Sequence, residues 1–172
     1  MFLNYLKEFS VKKRLKNSLL NVKRSSSLGD IKTVGVIVDQ SHFANTKSLL
    51  DELKANGILK ENVSLLLFKG DKNVDFEVET VKLTSGNLDW KGQIKSEEVK
   101  KFIARDFDLL VSYYEVEKAI LLVVTHESGA KFKVGFANID KRLNDFMINT
   151  NQGNYQVFVQ ELFRYLKILN KI

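Results

Sequence analysis

Apolar runs alternate with amphipathic stretches from residue 31 onward, and this alternation is the strongest pattern in the chain. Residues 31–39 form a β-branched run that predicts a buried strand. Residues 45–56 carry leucines at helical spacing and are followed by Gly57, which predicts a helix with a glycine stop. Residues 63–69 predict a second buried strand, and residues 70–73 have the composition of a turn. The region therefore opens with a strand, a helix and a strand.

The middle of the chain repeats the pattern. Residues 76–83 alternate as an exposed strand would, and residues 107–113 predict another buried strand. Between them, residues 96–104 predict a short helix that Ser96 caps, with acidic residues in its first turn. Residues 116–126 are apolar almost all round, which predicts a helix that is covered on most sides.

Two strands and a long helix are predicted at the C-terminal end. Residues 131–137 predict a strand, and residues 146–149 predict a short one. The final helix places its apolar residues within about a third of the helical circle; they are Tyr155, Phe158, Val159, Leu162, Tyr165, Leu166 and Leu169. Strands that alternate with helices favour a parallel sheet with helices on both faces. We therefore predict an α/β fold, a single Rossmann-like three-layer domain over residues 30–172 with a mostly parallel sheet.

An amphipathic basic helix is predicted to precede this domain. At helical spacing, Val11, Leu15, Leu19 and Val22 fall on one face. Five basic residues gather on another face, Lys12, Lys13, Lys16, Lys23 and Arg24, and together with Arg14 they are the predicted anion-binding residues. An earlier apolar set at residues 2–9 points in another direction, so a break is expected at Ser10. Serines and a glycine in residues 25–30 predict a hinge. Residues 1–29 are therefore predicted to be a basic helical arm with a hinge.

Charge is concentrated in the arm. The chain has a net charge of +6, and its first 30 residues hold seven basic residues against two acidic ones. Such an arm could pack its apolar face on the domain and show its lysines to water. It could instead dock through residues 11–24 on RNA, on a ribonucleoprotein or on an anionic membrane surface, and a protein partner is also possible. Composition does not separate these alternatives.

Several classes of protein are disfavoured by composition. The chain has no cysteine, so it has no disulfide framework and no thiolate ligand. Its longest apolar runs, such as residues 119–124, are far shorter than the roughly 20 residues that cross a bilayer, so no transmembrane segment is predicted. The first residues reverse the order of charge and apolar character of a secretory signal. These features together predict a cytoplasmic protein.

Candidate chemistry lies after the first strand. Residues 39–45 contain no glycine, so neither a nucleotide cradle nor a cofactor is predicted there, and no spaced ligand set predicts a metal. Asp39, Ser41 and His42 nevertheless fall at the carboxyl edge of the sheet, where α/β proteins bind ligands, and a histidine could transfer protons near neutral pH. Alternatively, Asp39 or Ser41 caps the next helix and His42 lies on the surface. Glu115 and Glu117 are expected at the same edge, as solvated acids at a helix start.

Residues 107–136, FDLLVSYYEVEKAILLVVTHESGAKFKVGF, resemble a strand, helix and strand of the heptosyltransferase-type glycosyltransferases. This resemblance implies the N-terminal Rossmann-like half of a two-domain sugar transferase. It places His42 near the catalytic aspartate of that family, with Ser41 where the family has glycine. The chain as a whole, including the F-x-x-E-L-F-x-Y-L-K-I-L helix at residues 158–169, resembles a family of small uncharacterised bacterial proteins.

Two functional hypotheses follow from these observations. The first is a non-catalytic binding or adaptor domain that docks on an anionic partner through its arm. The second is a glycosyltransferase-like domain that binds a sugar or nucleotide at Asp39, Ser41 and His42 and works with a partner subunit. Charge placement favours the first hypothesis, and the family resemblance favours the second.

Overall fold

A six-stranded parallel sheet forms the centre of the molecule. The computed structural model describes residues 9–11, 13, 15, 29–70 and 74–172. The strands, in chain order, are β1 (Val34–Asp39), β2 (Val63–Phe68), β3 (Glu79–Leu83), β4 (Leu109–Tyr113), β5 (Phe132–Phe136) and β6 (Phe146–Ile148). They lie in the order β3-β2-β1-β4-β5-β6, and every neighbouring pair is parallel. The sheet is therefore parallel throughout, which confirms the predicted fold class.

Helices cover both faces of this sheet. They are α1 (Thr46–Ala55), α2 (Glu97–Ile103), α3 (Ala119–Glu127) and α4 (Tyr155–Ile168). Helices α1 and α4 contact each other, whereas α2 and α3 meet where the Gly129 amide donates to the Ile103 carbonyl at 3.4 Å. Alternate residues of β4 point to these two layers. Ser112 Oγ lies 3.4 Å from Thr125 Oγ1 of α3, and Tyr113 packs on Phe158 of α4. The architecture is a three-layer Rossmann-like domain.

The central strands are buried at every position. No residue of β1, β2 or β4 reaches the surface to an appreciable extent, because these strands have neighbours on both sides and helices on both faces. Aromatic rings fill the layer between β4 and α4: Phe43, Phe136 and Phe158 each lie within 5.0 Å of the Tyr113 ring, centroid to centroid. This core fixes the carboxyl edge of β1 and β4, where the candidate site lies.

Some boundaries differ from those predicted. Strand β3 begins at Glu79 rather than at residue 76, because Glu77 adopts a left-handed conformation with φ of 56°. Helix α3 begins at Ala119 rather than at residue 116, because Lys118 is extended. The caps agree with prediction, since the Ser96 side chain accepts from the Val99 amide at 3.4 Å and Gly57 has φ of 98°.

The start of the predicted arm packs on the domain. Phe9, Ser10, Val11, Lys13 and Leu15 are helical. Val11 and Leu15 are buried in the hydrophobic core, and Val11 Cγ2 lies 3.0 Å from the point where a β-carbon on Gly92 would stand. Lys13 is exposed, as is Phe9. Leu19, Val22 and hinge residues 25–28 lie outside the described residues. In the described parts of the chain, no helix combines the length and apolar character needed to cross a membrane.

Candidate functional site

The strand order places one polar cluster at the point where the sheet changes direction. The chain moves from β1 outward to β3 and then returns to β4 on the other side of β1. The carboxyl ends of β1 and β4 therefore lie at the point where the strand order reverses, which is where open α/β sheets form the crevice that binds their ligands. Asp39 is the last residue of β1, and Glu115, Glu117 and Lys118 follow β4.

Asp39 is the centre of this cluster. Its side chain is 1% exposed, and its Oδ1 accepts from the Ser41 amide at 3.1 Å and from Ser41 Oγ at 2.5 Å. Its Oδ2 forms an ion pair with Lys118, whose Nζ also donates to Ser41 Oγ at 2.5 Å and lies 4.7 Å from the Phe68 ring centroid. Asp39 and Ser41, which were both predicted at this edge, are in contact, and Lys118, which was not predicted, joins them. Their role as a site stays a prediction. A buried carboxylate needs a partner, so the position of Asp39 at the end of a buried strand was the available signal that a group such as Lys118 must pair with it.

His42 does not join the cluster through its side chain. Its backbone amide donates to the Asp39 carbonyl at 3.3 Å, and the residue is exposed. Helix α1 begins after Asn45 without a side-chain cap. The alternative that Asp39 or Ser41 caps this helix was therefore wrong, because the carboxylate of Asp39 is held by Ser41 and Lys118 instead. Thr46 at the helix start accepts from the Gln40 side-chain amide at 2.9 Å.

The acidic residues after β4 hold neighbouring loops in place. Glu115 accepts from the Gln152 amide at 2.7 Å, and Glu117 accepts from the Asp140 amide at 3.1 Å. The Tyr113 hydroxyl donates to the Gln152 carbonyl at 2.6 Å, and burial raises the pKa of this hydroxyl. Glu117 is exposed, as expected of a solvated acid, and Glu115 is half-buried, but each of them also accepts a hydrogen bond from a loop amide. Neither lies in α3, which begins at Ala119. The crevice is thus lined by groups that already have partners.

This arrangement limits the chemistry available at the crevice. Lys118 offers a positive charge, but an anionic ligand would have to compete with the Asp39 carboxylate for it. Among the residues that the structure describes, no group of three or more His, Cys, Asp or Glu side chains is placed to hold a metal. The crevice therefore offers a hydrogen-bonded ion pair and an exposed imidazole.

A cavity of about 270 Å³ lies elsewhere, between β3 and α2. Arg105 crosses it to pair with Glu79, and Ser64 also donates to that carboxylate at 3.1 Å. The hydrogen bond from Arg105 lowers the pKa of Glu79. The Arg105 guanidinium is bound by the Glu79 carboxylate, so an ion pair closes the cavity at this edge of the sheet.

The predicted anion site on the arm is only partly described. Lys13 is exposed and lies on a helical segment whose apolar residues Val11 and Leu15 are buried. Lys12, Arg14, Lys16, Lys23 and Arg24 lie outside the described residues. The anion site therefore stays a prediction.

Comparison with known proteins places the chain in a family. No curated protein matches it, and no solved structure matches it. One family model matches residues 7–169, which is nearly the whole chain and includes most of the basic arm. The chain therefore belongs to DUF6913, a family of unknown function.

Proposed function

We propose that this protein is a non-catalytic binding domain that docks on RNA, alone or in a ribonucleoprotein, through its basic arm. The observation that carries the proposal is the burial of Val11 and Leu15 in the core next to an exposed Lys13. The helix thus turns apolar residues toward the domain and at least one lysine toward solvent. The domain supports the arm, and the arm provides the contact surface.

This burial favours RNA over a membrane surface. An amphipathic helix that binds a bilayer inserts its apolar face among the lipids, so Val11 and Leu15 would have to leave the core. RNA binding needs only the basic face, because the attraction is between lysine or arginine and phosphate. RNA binding would therefore leave Val11 and Leu15 in the core, whereas membrane binding would require both side chains to leave it.

Charge placement supports docking of the arm on a polyanion. The first 30 residues have a net charge of +5, and the remaining 142 residues have a net charge of +1. A nearly neutral domain with a basic arm concentrates its positive potential at one place, which guides a polyanion to that surface. Binding of this kind releases counterions and weakens as salt rises.

The experiment measures binding of the full chain to a fluorescent RNA over a series of salt concentrations. Lys12→Glu, Lys13→Glu and Lys16→Glu together should remove most of the affinity and lower the salt slope by about 2, since each contact with a single-strand phosphate contributes about 0.7. The matched control reverses three exposed lysines of the domain, Lys54, Lys141 and Lys167, and so makes the same change in net charge. We expect this control to bind much as the wild type does.

Two results would refute the proposal. Equal losses in the arm variant and the control variant would mean that only net charge matters. Binding to vesicles of phosphatidylcholine and phosphatidylserine in equal parts, without binding to RNA at low salt, would assign the arm to membranes. In that case the polar substitutions Val11→Ser and Leu15→Ser should abolish vesicle binding.

A second candidate function is a sugar or nucleotide ligand at the β1/β4 crevice, with a partner subunit completing the site. The observation that favours it is the order of the six strands, which puts Asp39, Ser41 and Lys118 at the point of reversal. The resemblance to glycosyltransferases suggests the ligand class, and His42 would be the exposed acid or base. Calorimetry with UDP-glucose tests this candidate. Heat of binding that Lys118→Ala removes would support it, and an absence of heat would count against it.

A further inference from the structure

A tight turn at residues 89–93 exposes the side chains of Trp90 and Lys91, which neither proposed function uses. Leu88 and Ile94 form an antiparallel bridge, and both are buried. Between them, the Gly92 amide donates to the Asp89 carbonyl at 3.2 Å, and the Asp89 amide donates to the Gln93 carbonyl at 3.0 Å. Gly92 has φ of 78°, so this hairpin is a three-residue loop with a glycine in the left-handed region. Trp90 and Lys91 occupy the tip.

Trp90 is unusual for a hairpin tip. It is the single tryptophan of the chain and is 63% exposed. Lys91 Nζ lies 5.1 Å from the centroid of its ring. Tip positions ordinarily carry small polar residues, because a large apolar side chain gains nothing from exposure to water. The Asp89 carboxylate accepts from the Gln93 amide at 2.8 Å and helps to hold the turn. The backbone of the turn is thus fixed, and it presents an indole and an ammonium at the surface.

The turn lies next to the arm. Val11 of the arm packs on Gly92, which is two residues from Trp90. At Gly92 a β-carbon would be strained by the backbone and would also meet Val11 at 3.0 Å, so glycine allows both the turn and the docked helix. The contact brings the arm against the turn, and each of the two segments carries exposed residues, Phe9 and Lys13 on the arm and Trp90 and Lys91 on the turn.

We propose that the Trp90–Lys91 turn makes this surface selective for single-stranded RNA by stacking an unpaired base on the indole. The inference rests on the proposed function, because the arm supplies the phosphate contacts. Unpaired bases offer their faces to aromatic side chains, whereas bases in a duplex are already stacked on each other. Lys91 Nζ lies over the indole ring, so it adds a positive charge beside Trp90, and a stacked base would occupy the other face of the ring or displace the ammonium. Phosphate attraction thus comes from the arm, and recognition of the single strand comes from the turn.

The experiment uses the full chain and an oligouridine of about 12 nucleotides, a length within the range that one small domain covers. A duplex RNA of the same length is the comparison. Because the chain has a single tryptophan, its fluorescence reports directly on Trp90. We expect oligouridine to quench this fluorescence and the duplex to change it little, with tighter binding to the single strand.

Three variants separate stacking from other effects. Trp90→Ala should weaken oligouridine binding about tenfold, equivalent to about 1.4 kcal/mol, and leave duplex binding and the salt slope almost unchanged. Trp90→Phe should retain most of the affinity, whereas Trp90→Leu, which keeps apolar bulk without a ring, should behave like Trp90→Ala. The variant with Lys12, Lys13 and Lys16 reversed to Glu should lose both RNAs.

The possible failures are distinct. Equal affinity for both RNAs with no effect of Trp90→Ala would overturn the stacking inference and leave RNA docking by the arm intact. No binding of either RNA at low salt would end both proposals. A blue shift with the phosphatidylserine vesicles, without quenching by oligouridine, would assign Trp90 to a membrane interface and overturn the inference.

Discussion

Asp108 connects three segments at the amino edge of the sheet. Its carboxylate accepts from the Lys32 and Thr33 amides at 3.0 and 2.9 Å, and from Lys131 Nζ at 2.7 Å. Burial alone would raise the pKa of Asp108, but hydrogen bonds from Lys131 and from the Thr33 and Lys32 amides outweigh it and lower the pKa from 3.8 to about 2. One side chain thus joins the starts of β1, β4 and β5.

The lowered pKa of Asp108 predicts a pH-dependent contribution to stability. A carboxylate with a lower pKa in the folded state stabilises the protein above its unfolded pKa of about 3.9, and this stabilisation is lost as the pH falls toward about 2. Asp108→Asn should therefore lower the free energy of unfolding by about 2 kcal/mol at pH 6, and the difference from wild type should shrink below about pH 4. Urea unfolding at several pH values measures this. The exposed neighbour gives the control, Asp106→Asn, which should have little effect. A difference that does not depend on pH would mean that the carboxylate charge is not responsible.

The contacts of single side chains were the hardest feature to predict from the sequence. Asp39 and Ser41 were found because they follow a strand, and strand ends can be read from a hydrophobic run. Lys118 was missed because it lies 79 residues from Asp39 in the chain, and a long-range ion pair leaves no local pattern. Trp90 was missed because its hairpin depends on hydrogen bonds around Gly92, which are not visible in the spacing of apolar residues.

Helices and strands are easier to predict than single contacts, because the spacing of their apolar residues is a local pattern in the sequence. Helix α4 was predicted from one apolar stripe, and Phe158, Leu162 and Leu166 are all fully buried. The residues that departed from prediction did so for reasons of conformation. Glu77 shortens β3 by adopting a positive φ, and α3 begins only at Ala119 because Lys118 is extended.

Shortening one buried side chain of helix α4 should lower the free energy of unfolding substantially. Leu162→Ala should lower the free energy of unfolding by roughly 2–5 kcal/mol, because the side chain is fully buried and its loss leaves a cavity. The matched control on the same helix is Ile168→Ala, since Ile168 is 66% exposed and should change stability by no more than about 0.5 kcal/mol. Chemical denaturation of both variants gives the comparison. Equal effects at the two positions would contradict the packing of this helix.

At the scale of the molecule, the division into an arm of residues 1–29 and a domain of residues 30–172 stays a prediction. All six strands and helices α1 to α4 lie after residue 33, so we expect residues 30–172 to fold alone. They should be less stable than the full chain by roughly 3–6 kcal/mol, because burying a Val or a Leu contributes about 1.5–3 kcal/mol each. Circular dichroism during urea unfolding measures this, and protease should cut the full chain first at residues 25–29.

A milder test leaves the chain at full length. Replacing both Val11 and Leu15 with serine should reproduce most of the loss in stability, whereas Phe9→Ser should not, because Phe9 is 60% exposed. Failure of residues 30–172 to fold would make the arm an integral part of the core. The division of the chain into an arm and a separate domain would then be wrong.

The parallel sheet could be predicted as a class because strands and helices alternate along the chain. The order of its strands could not, since the apolar runs of β1, β2 and β4 are all compatible with a central position. That order decides which residues share the crevice, so it also decides that Lys118 pairs with Asp39.

The central position of β1 has a consequence for synthesis of the chain on the ribosome. β1 is complete at residue 39, but its second neighbour β4 begins only at residue 109. At about 5–20 residues per second, the nascent chain spends roughly 4–14 s with one edge of an apolar strand uncovered. Such an edge is a template for pairing with another chain. A nascent chain released between residues 83 and 109 would keep that edge and would be expected to aggregate, whereas the completed chain covers it with β4.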